Sequence, residues 1–359
     1  MNPGPGLHSP DPALWRRALA RIYGAAVDFR LGLYSRGIIP AKSLPARVIS
    51  VGNLTVGGTG KTPAAVFIAR ALQARGRRVA VLSRGYRGRS RKPVNLVSDG
   101  QDILLGPEQA GDEPYLMAKA LPGVPILTGR NRWVLGCCAL DRFQTEIFVL
   151  DDGFQHLGLV RDVNLLLLDA AQPWGNGRLV PAGPLREPRR QAGRADGFLI
   201  TRVADRPAAL IAELERDFPG RPIFLARHRP ARVHRLDDGR PEALENLAGR
   251  RMLAFCGLAR PENFLDTLTG LKVQVPLFLE WPDHYRPKNR DLRKIEKAAQ
   301  IAEVGEAVTT AKDAVKLRGR PLGRQAGRDL DVWVLDVDLE IIDDVDRFLS
   351  LLDPDLKEG

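Results

Sequence analysis

The run Gly52-Asn53-Leu54-Thr55-Val56-Gly57-Gly58-Thr59-Gly60-Lys61-Thr62-Pro63 holds the residue types that cradle a phosphate chain. Glycines let the backbone close on phosphate oxygens and aim N–H groups at them. A helix opening at Lys61 adds the partial positive charge of its N-terminus at the same place. In such a loop Lys61 would reach the β- and γ-phosphates, and the Thr62 hydroxyl would ligate Mg²⁺. Thr55, Val56, Gly57, Gly58, Thr59 and Gly60 form the rest of the cradle. The G-x-x-x-x-G-K-[ST] spacing asks for glycine at position 55, where this chain has Thr55. Gly57 and Gly58 supply the freedom instead. A Gly-rich turn with an incidental lysine shares part of this pattern. Strand, loop, Gly-Lys-Thr and helix together point to a nucleotide.

Asp151-Asp152 ends the apolar run Ile147-Phe148-Val149-Leu150. Phosphoryl chemistry needs a carboxylate near the metal, at the tip of a strand beside the phosphate loop. Asp-Asp-Gly is also an ordinary strand-ending turn. His156, a few residues on, is a polar site residue or a loop histidine. Asp112 and Glu113 stand at an expected helix start, as caps or as an acceptor for a hydroxyl proton. Arg84, Tyr86 and Arg130 follow core elements, where guanidinium groups suit phosphate and also suit solvent. Arg186 and Glu187 lie in a Pro/Gly-rich loop, and Glu187 is a candidate for a further metal-side carboxylate. His284, between Asp283 and Tyr285, is half of a pH-active pair or part of a capped turn.

Strands must carry these residues. Val48–Val51, Arg78–Ser83, Ile147–Leu150, Val163–Leu168 and Phe198–Thr201 are apolar without polar alternation, and helical patterns separate several of them. That indicates an α/β fold, a parallel sheet with helices on both faces like that of phosphate-loop nucleotide hydrolases. After a segment rich in Arg, Pro and His, a second strand and helix series begins. The expected organisation is an N-terminal helix in 1–35, a nucleotide-binding unit in 36–225, and a smaller C-terminal α/β unit in 226–359 that closes over the site.

Composition narrows the partners. The chain has 359 residues with 54 Lys+Arg against 43 Asp+Glu, a formal charge of +11, which favours anions. Neither zinc-finger spacing nor an aromatic-plus-basic RNA-binding signature is present, so nucleic acid is not expected. The three cysteines, Cys137, Cys138 and Cys256, form no CxxC pair, which argues against a disulfide framework or thiolate metal site and fits a reducing cytoplasm. No apolar run is long enough to span a bilayer. Trp15, Ala18, Leu19, Ile22, Ala26, Phe29 and Leu33 share one helical face, flanked by Arg16 and Arg30. Such a helix lies in a membrane interface or packs on the protein's own core.

Taken together, these motifs resemble the tetraacyldisaccharide 4'-kinase family of lipid A biosynthesis. The resemblance rests on the phosphate loop with its Thr55, Ser83-Arg84-Gly85-Tyr86, Gly111-Asp112-Glu113-Pro114, Asp151-Asp152-Gly153-Phe154-Gln155-His156 and Gly183-Pro184-Leu185-Arg186-Glu187. Further on it rests on Asp283-His284-Tyr285 and Thr309–Lys316. It runs in order from about residue 10 to 350. Two positions depart from the family: Ala311 stands where Glu precedes Lys312, and one His follows Asp283 where two are common. The resemblance implies transfer of the ATP γ-phosphate to the 4'-hydroxyl of a tetraacylated glucosamine disaccharide 1-phosphate, with Mg²⁺. The setting is the cytoplasmic face of the bacterial inner membrane, an anionic surface, and no obligate protein partner is implied. It implies Asp112 as the base, assisted by His284, with Lys61 on the phosphates. Thr62, one of Asp151 and Asp152, and Glu187 hold the metal. Arg84, Tyr86, Arg130, His156 and Arg186 meet the substrate.

Two other readings follow from a phosphate loop alone. An ATP-dependent ligase on a soluble acid would need no greasy N-terminal helix. A GTPase would need an Asn/Thr-Lys-x-Asp loop, and Thr310-Ala311-Lys312-Asp313 fails it because Lys and Asp are adjacent.

Overall fold

A computed structural model describes residues 14–283, 285–317, 319–320 and 330–355. Its strands are β1 (Arg47–Gly52), β2 (Val79–Ser83), β3 (Asn95–Ser98), β4 (Ile126–Thr128), β5 (Ile147–Asp151), β6 (Val163–Asp169) and β7 (Gly197–Thr201). After them come β8 (Ile223–Arg235), β9 (Pro241–Glu242), β10 (Leu253–Cys256), β11 (Phe278–Glu280), β12 (Glu306–Thr310) and β13 (Asp331–Ile341). They form one continuous sheet in the order β11-β10-β12-β13-β8-β7-β6-β1-β5-β2-β4-β3, with β9 beside β8. From β2 to β8 through β1 the pairing is parallel, as the unalternated apolar strands predict. Only β3 pairs antiparallel at that end.

Alternate residues of the central strands feed two cores. Ile49, Val51, Val81, Val149 and Leu165 pack under the helix Lys61–Ala74, which buries Ala64, Ala65, Ile68, Ala69 and Leu72 at helical spacing. Val48, Ala80, Leu82, Phe148 and Leu150 face the helix Arg132–Phe143 on the other side. The parallel register sets Val51 beside Asp151, so the carboxylate stands next to the start of the phosphate loop. In the second unit, β10 and β12 bury residues on both faces, one under Phe264 and Leu268, the other under Leu292, Ile295 and Ala299.

β8 is shared. Its first residues pair with β7, and the strand then runs antiparallel to β13 from Ala226↔Ile341 to Arg235↔Trp333. The expected boundary near 225 falls inside this strand, not in a linker. The helix Val345–Leu352 was expected in the second unit. It packs on the first, where Phe348, Leu349 and Leu352 join the core of Val51 and Ile68. The Phe348 ring meets Phe224 edge-on at 5.0 Å. We expect Phe348→Ala to lower the unfolding free energy of the enzyme by about 3–5 kcal/mol, measured by urea denaturation. Loss confined to the second unit would contradict this packing.

The N-terminal helix runs Leu14–Ser35 and seats only Ala20 and Gly24 fully. A Cβ on Gly24 would lie 2.7 Å from Leu179, so glycine lets the helix sit down here. Its apolar stripe points away: Trp15 is 59% exposed, Ile22 67% and Phe29 70%. The reading in which this stripe packs on the protein's own core is not what the chain does. Residues 1–13 of the expected segment lie outside the described residues.

Candidate active site

The phosphate loop opens on one wall of a cavity of about 2160 Å³ between the two units. Val56, Gly57, Gly58, Thr59, Gly60, Lys61 and Thr62 line it. Thr55 does not. It is buried, accepts a hydrogen bond from Asn53 Nδ2 (3.2 Å) and bridges to Leu185, which anchors the loop's first half. Gly60 precedes the helix with φ 82°, a left-handed turn that a side chain adopts only with strain. Lys61 Nζ donates to Asn53 Oδ1 (3.1 Å) and faces Gly57 O at 3.4 Å and Asp152 at 3.6 Å. Its ammonium is thus held over the loop by two loop groups and by Asp152.

The two aspartates separate in role. Asp151 is buried, accepts from Ser83 Oγ (3.1 Å) and lies 3.5 Å from Thr62 Oγ1. Burial, with the charges of Glu113 and Asp152, pushes its pKa up to about 7. Asp152 sits at φ 54° and accepts from Arg186 through both oxygens (3.1 and 3.0 Å). Burial works against its charge, but Lys61 and Arg186 outweigh it and hold the carboxyl below its usual range. Asp151 is therefore a buried carboxylate short of positive charge. Beside the Thr62 hydroxyl it makes a hard-oxygen pair suited to Mg²⁺, which is typically held by one or two carboxylates plus substrate phosphates. Among the described residues no cluster of three or more His, Cys, Asp or Glu forms a ready metal cage.

Glu187 does not join them. Its carboxylate is buried against Arg194, whose guanidinium stacks on Phe154, and it is absent from the cavity wall. Of the acids at the helix Asp112–Ala120, Glu113 lines the cavity and Asp112 does not. Asp112 is buried, with Arg286 of the second unit 3.9 Å away. Gly111 positions it. With φ 96° and Tyr86 O 2.6 Å from where a Cβ would sit, only glycine fits. His284 lies outside the described residues.

Arg84, Tyr86, Arg130, His156 and Arg186 all line the cavity. Arg84, Tyr86 and Arg130 are exposed on it, and His156 is half-buried. Burial, then Arg132 and Arg161, push the His156 pKa down to about 4, so the ring is neutral at pH 7. The N-terminal helix reaches the same wall. Tyr23 Oη donates to Arg186 O (2.9 Å), and Arg30 donates to Gln155 O (3.1 Å).

Several wall residues escape a reading of motifs. Lys312 crosses between units, 2.9 Å from Asp283 and 3.5 Å from Glu113, and these acids outweigh burial to raise its pKa. It lay in a matched string but carried no role. Ser83 lies in a matched string and Arg132 follows a candidate arginine, whereas Arg202, His228 and Arg260, also on the wall, fall in no motif.

A family model described as Tetraacyldisaccharide-1-P 4'-kinase matches residues 13–357. A Tetraacyldisaccharide 4'-kinase of Syntrophus aciditrophicus is 44% identical over 326 residues, 88% of this chain and 87% of that one. One from Anaeromyxobacter sp. (strain K) is 44% identical over 358 residues, 98% and 92% of the two chains. The crystal structure of LpxK from Aquifex aeolicus in complex with ATP is 32% identical, with TM-score 0.73 over 95% of this chain and 98% of that one.

Proposed function

This chain belongs to the tetraacyldisaccharide-1-P 4'-kinase family, and from that premise we propose how its residues divide the work. It is an ATP-dependent 4'-kinase of lipid A biosynthesis, which moves the γ-phosphate to the 4'-hydroxyl of a tetraacylated glucosamine disaccharide 1-phosphate. The observation that carries the division of roles is one cavity. Its walls combine the phosphate loop, the Asp151 strand tip, the edge of the N-terminal helix and the second unit. Labelled γ-phosphate should appear on an extracted lipid and not on a soluble acid. The opposite distribution would favour the ligase reading.

The loop from Val56 to Gly60 and Lys61 bind the β- and γ-phosphates, with Thr55 as its anchor. Thr62 and Asp151 are the residues that would hold Mg²⁺, since Asp152 is already engaged by Arg186 and Lys61. When bound there, Mg²⁺ neutralises charge on the β- and γ-oxygens. Glu187, committed to Arg194, takes no part in this scheme. Asp112 accepts the proton of the 4'-hydroxyl, and His284 orients it as the family resemblance implies. Arg286 beside Asp112 supports a place for this acid where the two units meet. Arg84, Tyr86, Arg130, His156 and Arg186 receive the sugar and its 1-phosphate. Closure of the second unit excludes water and limits wasted ATP.

The enzyme works at the cytoplasmic face of the inner membrane, and the N-terminal helix holds it there. No helix among the described residues is long and apolar enough to cross a bilayer. The exposed stripe and its arginines instead suit the headgroup boundary of an anionic leaflet. One flank of the stripe, through Tyr23 and Arg30, touches the site. Replacing Trp15, Ile22 and Phe29 together by Ser should cut partitioning onto anionic vesicles at least about tenfold. The melting temperature should change little, because these side chains are mostly exposed. Undiminished vesicle binding would remove the helix from this role.

A further inference from the structure

One charged cluster in the cavity is used by none of these roles. Asp169 ends β6 and is 2% exposed. Its carboxylate is shared by two guanidiniums. Arg202, just after β7, donates to Oδ2, and Arg260, after β10 in the second unit, approaches Oδ1 at 2.8 Å. Arg260 is braced further by Gln172 Oε1 at 3.0 Å. Two cations on one buried anion leave an excess positive charge, and both guanidiniums line the cavity.

The cluster adjoins the phosphate loop. Thr201 Oγ1 donates to Thr59 O at 3.0 Å. Arg202 Nη2 lies 3.8 Å from where a Cβ on Gly58 would stand, and His228 Nε2 lies 3.0 Å from that of Gly60. Arg202 holds a left-handed φ of 58°, a backbone cost at a residue that is not glycine. Arg202 Nε and His228 Nε2 are shut off from solvent and have no partner among the described residues. An unmet guanidinium donor and excess charge at the edge of a phosphate loop call for an anion.

We infer that Arg202 and Arg260, held on either side of Asp169, clamp the phosphate chain of the nucleotide from the two units, with Asp169 as the residue that positions both. This rests on the kinase reading for the nucleotide but not for the acceptor. Arg202 carries its charge from the sheet that bears the phosphate loop, and Arg260 from the unit that closes on it. Nucleotide affinity therefore depends on where the second unit stands.

The test uses the full chain and needs no acceptor. ADP and adenosine affinities are measured by calorimetry for the unsubstituted enzyme, Arg260→Ala, Arg260→Lys and Asp169→Asn, with melting temperatures alongside. Arg260→Ala should weaken ADP on the order of tenfold, leave adenosine unchanged even where the melting temperature falls, and raise KM for ATP but not for the lipid. Arg260→Lys should recover part of the loss, and Asp169→Asn combined with Arg260→Ala should lose less than the two effects multiplied. Unchanged ADP affinity with a lower melting temperature would reduce the cluster to a structural brace and overturn the clamp. An equal loss for adenosine would overturn it too, by placing the contact on the nucleoside. Should the unsubstituted enzyme bind ADP yet fail to phosphorylate the lipid, the acceptor assignment falls, and the ADP comparison still decides the clamp.

Discussion

Lys61→Ala lowers kcat at least on the order of a hundredfold to a thousandfold, the scale of losing one preorganised group that meets transition-state charge. The loop around it should persist. Asn53 stays bonded to Thr55, Gly60 keeps its turn, and Val56 N still donates to Pro184 O at 2.7 Å. Circular dichroism and the melting temperature should therefore match the parent, while transfer to lipid nearly vanishes. Thr62→Ala should lose a similar amount, and raising Mg²⁺ should restore part of it if Asp151 still offers the other oxygen. Near-normal turnover in both variants would remove the phosphate-loop assignment.

Asp112→Ala is the second large effect. A base that takes the hydroxyl proton contributes on the order of 10²–10⁴ in rate, and this loss should fall on kcat with little change in KM for ATP. The rival is its neighbour. Glu113 lines the cavity, reaches Lys312 and adds to the charge that raises Asp151. Glu113→Ala should alter metal dependence and the pairing between units more than the proton transfer. If Glu113→Ala abolishes transfer and Asp112→Ala only lowers the melting temperature, the base is Glu113 and Asp112 is a helix cap. His284→Ala should be strongly non-additive with Asp112→Ala if the two act as a unit.

What could be read from the chain was local. Strands buried on both faces have no polar alternation, so their positions and parallel pairing follow from Val48–Val51, Ile147–Leu150 and Val163–Leu168. The phosphate loop followed from glycine spacing beside Lys61-Thr62, and Asp151 from its place at a strand end. The assignments that changed depend on partners far along the chain. Glu187 reads from its loop as a candidate metal-side carboxylate, but Arg194 seven residues on pairs with it. The exposed stripe of the N-terminal helix carries the same pattern as a core-facing one, because periodicity gives a face and not its neighbour. Asp169, Arg202 and Arg260 are spread over three strand ends in two units, so no motif window contains them. The helix Val345–Leu352 is amphipathic wherever it docks, and only the return of β13 along β8 decides which core receives it.

That return path has a consequence for how the protein is made. The chain leaves the nucleotide-binding sheet along β8, builds the second unit, and comes back along β13 to deliver Phe348, Leu349 and Leu352 beneath the phosphate-loop helix. The second unit is thus an insertion, and the first is discontinuous. In a chain emerging from the ribosome, the core under Lys61–Ala74 stays unfilled until the inserted second unit and the helix Val345–Leu352 have followed it. The phosphate loop is translated well before the helix that completes the core beneath it, so a nascent chain lacks a finished ATP site until the inserted second unit has been made.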